Sequence, residues 1–129
     1  MTAGETASTA GMKTSDHDGV VVAVISGELD MISVDGIGTA LFDQVDKRPA
    51  GLVVELAVDF MGSSALSMLL ELNARSQREG VELVIVAAQA AAVRPMMASA
   101  LSQVLPLAQS VDEAVKLVRE ERESSEKPG

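Results

Sequence analysis

Three short apolar runs constrain the fold of this chain more than any other feature: Val20-Val21-Val22-Ala23-Val24-Ile25, Leu52-Val53-Val54-Glu55-Leu56 and Val81-Glu82-Leu83-Val84-Ile85-Val86. β-Branched residues dominate them. A strand with one face in water alternates apolar and polar residues, whereas these runs are nearly continuous, which predicts strands covered on both faces. Asp16-His17-Asp18-Gly19, just ahead of the first run, has the composition of a hairpin turn and predicts a short antiparallel edge strand over residues 12–15.

Helical patterns separate the runs. Ser33 can cap a helix that places Val34, Ile37, Gly38, Leu41 and Val45 on one face. Gly36 and Gly38 weaken that helix by ~1 kcal/mol each relative to alanine and suit close backbone packing. A second helix, over about 64–79, carries Leu66, Leu69, Leu70 and Leu72 as an apolar stripe, with Gly80 as its C′ residue. Glu71, Arg75 and Glu79 are spaced for pairing along it. A third pattern, over about 91–101, roughly aligns Val93, Met97, Ala100 and Leu101 and accepts Pro95 only in its first turn. Methionines at helical spacing, Met61, Met68, Met96 and Met97, read as core filler.

After a short edge strand over 104–108, which Pro106 bars from a central position, Ser110-Val111-Asp112-Glu113 reads as a capping box. The helix behind it puts Val111, Ala114, Val115 and Val118 on one face. Strands alternating with helices imply an α/β domain with a mostly parallel four- or five-stranded sheet and right-handed crossovers. Residues 1–11 are small and polar and are expected to form a disordered tail; residues 123–129 are expected to fray, leaving one domain over 12–122.

Composition removes several function classes. The chain of 129 residues has no cysteine, hence no disulfide, thiolate nucleophile or zinc-thiolate site, which fits a reducing cytoplasm. A net charge of -9 argues against nucleic acid and against an anionic membrane surface. Phe42 and Phe60 are the only aromatic residues, so base stacking is not its business. No apolar run approaches a membrane span, and the N-terminus lacks the features of a signal peptide. The single histidine, His17, sits in the hairpin turn, where a Ser-His-acid triad has little chance to form. No P-loop occurs, Gly36-Ile37-Gly38 is a packing feature, and the run from Arg119 to Glu123 is a solvated helix end. A non-enzymatic protein without metal or cofactor is expected.

Two segments remain. In Phe60-Met61-Gly62-Ser63-Ser64-Ala65-Leu66, two hydroxyls fall where a strand-like run gives way to a helix, a place that accepts negative charge. The bland reading is a capped helix, with Ser63 as the cap and Ser64 in the first turn. The other segment is the Gly27-Glu28-Leu29-Asp30 turn after the first run. Together, and with the strand-helix order, they resemble the STAS domain family over roughly residues 12–120, in particular the bacterial anti-sigma factor antagonists. That family shows a G-E-L-D turn after its second strand and an apolar strand leading into D-S-S-G-L.

The resemblance implies a STAS-type fold with helices mainly on one face of the sheet, and a cytoplasmic regulator of transcription. Such a protein binds an anti-sigma factor, itself a serine protein kinase, and so frees a sigma factor; phosphorylation reverses this and a phosphatase resets it. The phosphoacceptor implied is Ser64, with Ser63 as the alternative. The partner surface implied comprises Glu28, Asp30, Gly62, Ser63, Ser64 and Ala65, on a monomer or weak dimer. Two positions depart from the pattern: Gly62 replaces the aspartate and Ala65 the glycine. Rival readings are an accessory subunit of an ABC-type membrane transporter and an unphosphorylated STAS module of a signalling assembly.

Overall fold

The nearly continuous apolar runs are explained by a sheet with helices on both sides. In a computed structural model, the described residues are 10–126; the parts of the expected tails at 1–9 and 127–129 lie outside them. The chain order is β1 (Ala10–His17), β2 (Val20–Leu29), α1 (Val34–Asp46), β3 (Gly51–Met61), α2 (Ser63–Glu79), β4 (Glu82–Val86), α3 (Ala90–Ala98), a 3-10 turn (Leu101–Gln103), β5 (Leu107–Ala108) and α4 (Val111–Glu126). The five strands lie in the order β1-β2-β3-β4-β5, with β1 antiparallel to β2 and all other pairs parallel.

Successive strand residues point to opposite faces. Ala23, Ile25, Leu52, Val54, Leu56, Leu83 and Ile85 join the core formed with α1, α2 and α3. The residues between them, Val20, Val22, Val53, Val84 and Val86, pack with Ala114 and Val118 of α4. The helices are thus mainly on one face, as expected, and α4 alone covers the other.

The β1–β2 hairpin closes through Asp18 and Gly19, both at positive φ, and the Gly19 amide donates to Asp16 Oδ1 at 2.7 Å. Pairing begins at Ala10 opposite Gly27, so the edge strand is longer than expected and takes in residues assigned to the tail. At the other end α4 runs beyond Glu123 to Glu126.

α1 buries Val34, Ile37, Gly38, Leu41 and Val45, the face its spacing predicts. Gly38 does permit close packing: a Cβ there would stand 3.1 Å from Met68 Cγ of α2, while Gly36 faces open space. α2 ends as expected at Gly80 (φ +73), with Val81 N–H donating to Ser76 O and Gly80 N–H to Gln77 O, a Schellman ending. Its buried stripe is Ala65, Met68, Leu69, Leu72, Asn73 and Ser76, so Leu70 faces outward, against expectation.

Arg75 does not pair along its own helix. It reaches across to Asp46 of α1 with two hydrogen bonds (3.1 and 2.9 Å) and lies over the Phe42 ring, while Glu79 takes Arg48. Asp46 takes two guanidinium nitrogens, one on each carboxylate oxygen, a bidentate fork.

The third helix departs most from expectation. It spans Ala90–Ala98 and buries Ala92 and Met96; Met97 is 63 % exposed and is no core residue. Pro95 sits beyond the first turn, where it removes one backbone donor from a short helix. Ala100 at φ +61 then breaks the helix, and Leu101 is buried from the 3-10 turn instead. The capping box of α4 forms with a variation: Ser110 Oγ accepts from the Glu113 amide (3.1 Å), and Glu113 Oε1 accepts from the amide of Gln109, one residue earlier than the usual reciprocal donor.

Candidate docking surface at the strand ends

The parallel strands β2 and β3 end side by side, and the chain leaves each through one of the two segments singled out in the sequence. Gly27 has φ +89 and marks a register shift against β3, so this is a position that specifically favours glycine. Beyond the bulge, Glu28 is in register with Phe60, and Leu29 with Met61. Leu29 is fully buried and its carbonyl accepts from the Gly62 amide at 2.9 Å. This bond ties the turn after β2 to the start of α2.

Asp30 organises the turn. Its Oδ1 accepts from the amides of Ile32 and Ser33, each at 3.0 Å, and its carbonyl accepts from the Val34 amide. Ser33 is 4 % exposed, and its hydroxyl is not the side-chain cap that the sequence predicts. It accepts from the Asp30 amide (3.1 Å) and donates to the Glu28 carbonyl (2.7 Å), with Asp30 Oδ1 a longer alternative at 3.2 Å. The carboxylate therefore takes over the cap's task of satisfying amides ahead of α1.

Gly62, at φ −91 and ψ 178, is the N-cap of α2 and makes no side-chain bond. Ser63 is thus the first helical residue rather than the cap. Ser63 is exposed; Ser64 is half-buried and lines a groove between α1 and α2 together with Asp35, Thr39, Phe42 and Glu71. Ala65 is fully buried, so its methyl group belongs to the core and not to a partner surface. Nothing in the backbone demands glycine at 62: a Cβ would meet only Phe60 and the Leu29 carbonyl, at 3.4 Å or more.

The structure adds residues that the sequence reading passed over. Met31 is 81 % and Ile32 72 % exposed, immediately after the Gly27-Glu28-Leu29-Asp30 turn, and Phe60 is half-exposed beside Glu28 in the next strand. The signal was present as two bulky apolar residues in a loop between a polar turn and a helix start. Large apolar side chains held in water at the rim of polar groups mark interaction surfaces.

Among the described residues no group of His, Cys, Asp or Glu side chains is placed to hold a metal ion, and no helix is long and apolar enough to cross a membrane. The surface offers shape, charge and an accessible hydroxyl. His17, the single histidine, ends β1 opposite Val20 and so lies at the other end of these strands from this surface.

Known proteins share this fold. A family description of the STAS domain matches residues 12–114. The anti-sigma-F factor antagonist RsfB of Mycobacterium tuberculosis is 33 % identical over 108 residues, covering 81 % of this chain and 86 % of that protein. The crystal structure of an anti-sigma factor antagonist from Mycobacterium paratuberculosis superimposes with a TM-score of 0.80 at 33 % identity, covering 85 % of this chain and 94 % of that one. SpoIIAA in its unphosphorylated form shares the fold at 18 % identity (TM-score 0.69, covering 85 % of this chain and 97 % of the other). With the motif residues, the strand order and these matches in agreement, the chain belongs to the STAS domain family.

Proposed function

We propose that this chain is an anti-sigma factor antagonist that works in the cytoplasm by partner switching. Its unphosphorylated form binds an anti-sigma factor that is also a serine kinase, and so frees the sigma factor. Phosphorylation of Ser64 ends the complex, and a phosphatase restores it. One observation carries the reading: the exposed Glu28, the exposed apolar pair Met31 and Ile32, and the accessible Ser64 lie together at the C-terminal ends of β2 and β3, joined by the Leu29–Gly62 hydrogen bond. The names of the relatives, anti-sigma factor antagonists, support it.

The physical logic is local. A phosphate adds about -1.5 to -2 charge near pH 7. At the second position of α2 the free helix amides tolerate that charge, so the fold survives it. The same groove already holds Asp35 and Glu71, so the added charge and bulk change the face presented to a partner. The test is incubation with the cognate anti-sigma kinase and ATP, followed by mass spectrometry. One phosphate on Ser64, lost in Ser64→Ala, is the expected result; phosphate on another residue refutes the assignment.

A second reading keeps the docking and drops the phosphotransfer. Gly62 favours it, because the family's aspartate beside the phosphoacceptor is missing. Stable capture of the anti-sigma factor with no phosphate transferred in the presence of ATP is its signature.

A further inference from the structure

Farther along the same end of the sheet, at β4 and β5, the layering changes, and the change opens a crevice. β4 leads into α3, which packs in the core with α1 and α2, whereas its neighbour β5 leads into α4 on the opposite face. Adjacent parallel strands whose following helices go to opposite faces cannot close over their own C-terminal ends, and ligands of α/β sheets bind in such gaps. Here the gap is an open crevice of about 700 Å³, a volume in the range of small-molecule sites. No such divergence occurs between β2 and β3, whose following helices lie on one face.

The lining is mainly apolar, with Ala88, Val93, Met97 and Leu107 on its walls and Gln109 and Glu113 as its polar side. It contains no Lys or Arg among the described residues. Glu113 is held in place: its Oε1 accepts from the Gln109 amide at 2.8 Å, while Oε2 has no hydrogen-bond partner among the described residues. The exposure of Met97 fits the wall of a site better than the core role its spacing predicts.

We propose that this crevice binds a small, largely apolar molecule carrying one cationic or hydrogen-bond-donating group, its apolar body against Val93 and Met97 and its donor on Glu113. The carboxylate, in a lining that holds no Lys or Arg among the described residues, disfavours phosphorylated and other anionic ligands. The site is independent of the docking surface at Ser64, so failure of one reading leaves the other intact.

The probe is dansylcadaverine, an apolar fluorophore with an ammonium tail, titrated into the full chain and followed by its emission. Its neutral N-pentyl dansylamide counterpart and anionic dansylglycine serve as comparisons. Saturable binding is expected, with the order dansylcadaverine, then the neutral compound, then dansylglycine. Glu113→Gln keeps the acceptor for Gln109 and should weaken the cationic probe about threefold, without moving the neutral one. Ala88→Phe, at an exposed position, should fill the crevice and weaken both, with the circular dichroism spectrum unchanged. Amide NMR shifts should cluster at Ala88, Gln109 and Glu113. Absence of saturable binding by any probe, dansylglycine binding as tightly as dansylcadaverine, or shifts clustered elsewhere would overturn the proposal.

Discussion

Replacing Asp30 separates a structural role from a contact role. In Asp30→Ala the amides of Ile32 and Ser33 lose the oxygen that accepts them at 3.0 Å. Ile32 is 72 % exposed, so its amide has ready access to water and its loss counts for little. Ser33 is 4 % exposed, and its amide is left with poor access to solvent. An unmet buried donor costs about 1–3 kcal/mol, and loss of a cap ahead of a helix about 1 kcal/mol, two descriptions of largely the same event. A destabilisation of about 2 kcal/mol follows, which in a domain of this size lowers the melting midpoint by roughly 8 °C. Asp30→Asn keeps an acceptor at the same place and should lose less than about 1 kcal/mol.

Ser33→Ala should lose a comparable amount, because the Glu28 carbonyl and the Asp30 amide both lose a partner. The two changes should be less than additive, as expected for residues of one network. The assay is urea and thermal unfolding of wild type, both singles and the double variant. A midpoint for Asp30→Ala within about 1 °C of wild type would refute the reasoning and make the carboxylate a partner contact instead.

Gly51→Ala should be damaging although its φ is ordinary, because the new methyl would collide with Val118 Cγ1 of α4 and lie 3.3 Å from the Glu82 carbonyl; a loss of about 1–3 kcal/mol in urea unfolding is expected. Wild-type stability would mean that α4 does not sit as described. Met31→Ser with Ile32→Ser should leave the unfolding free energy within about 0.5 kcal/mol per site, these side chains being exposed, yet weaken capture of the anti-sigma factor by at least about tenfold. Undiminished capture in a pull-down would place the docking surface elsewhere. Gly62→Asp supplies a cap where the backbone already has N-cap geometry, and should raise stability by about 0.5–1 kcal/mol. If the missing carboxylate limits kinase recognition, the same variant should be phosphorylated faster on Ser64 in a timed ATP assay.

Much of the fold was legible because burial leaves a periodic trace. The face of α1 follows from residues three and four apart, and Gly80 ends α2 because a left-handed residue is needed there. Spacing sets α3 one residue out of phase, since Ala and Met occupy both its inner and outer faces and carry little contrast. A linear chain shows Arg75 only the partners along its own helix; Asp46 is remote in sequence and adjacent in space.

The order of strands and helices, covering on both faces of the sheet, the glycine turn after β2 and the two serines at a helix start are all properties of local pattern, and the amino-acid sequence alone carries them. Folding settled what depends on which elements meet. It brought Glu28, Met31, Ile32 and Ser64 to one end of the sheet, turned Ala65 into the core, and gave Asp30 to the turn. It also sent α3 and α4 to opposite faces and so opened the crevice between them. The physical reason is the same in each case: periodicity records that a side chain is buried or exposed, whereas the identity of its neighbour depends on contacts between residues far apart in the chain.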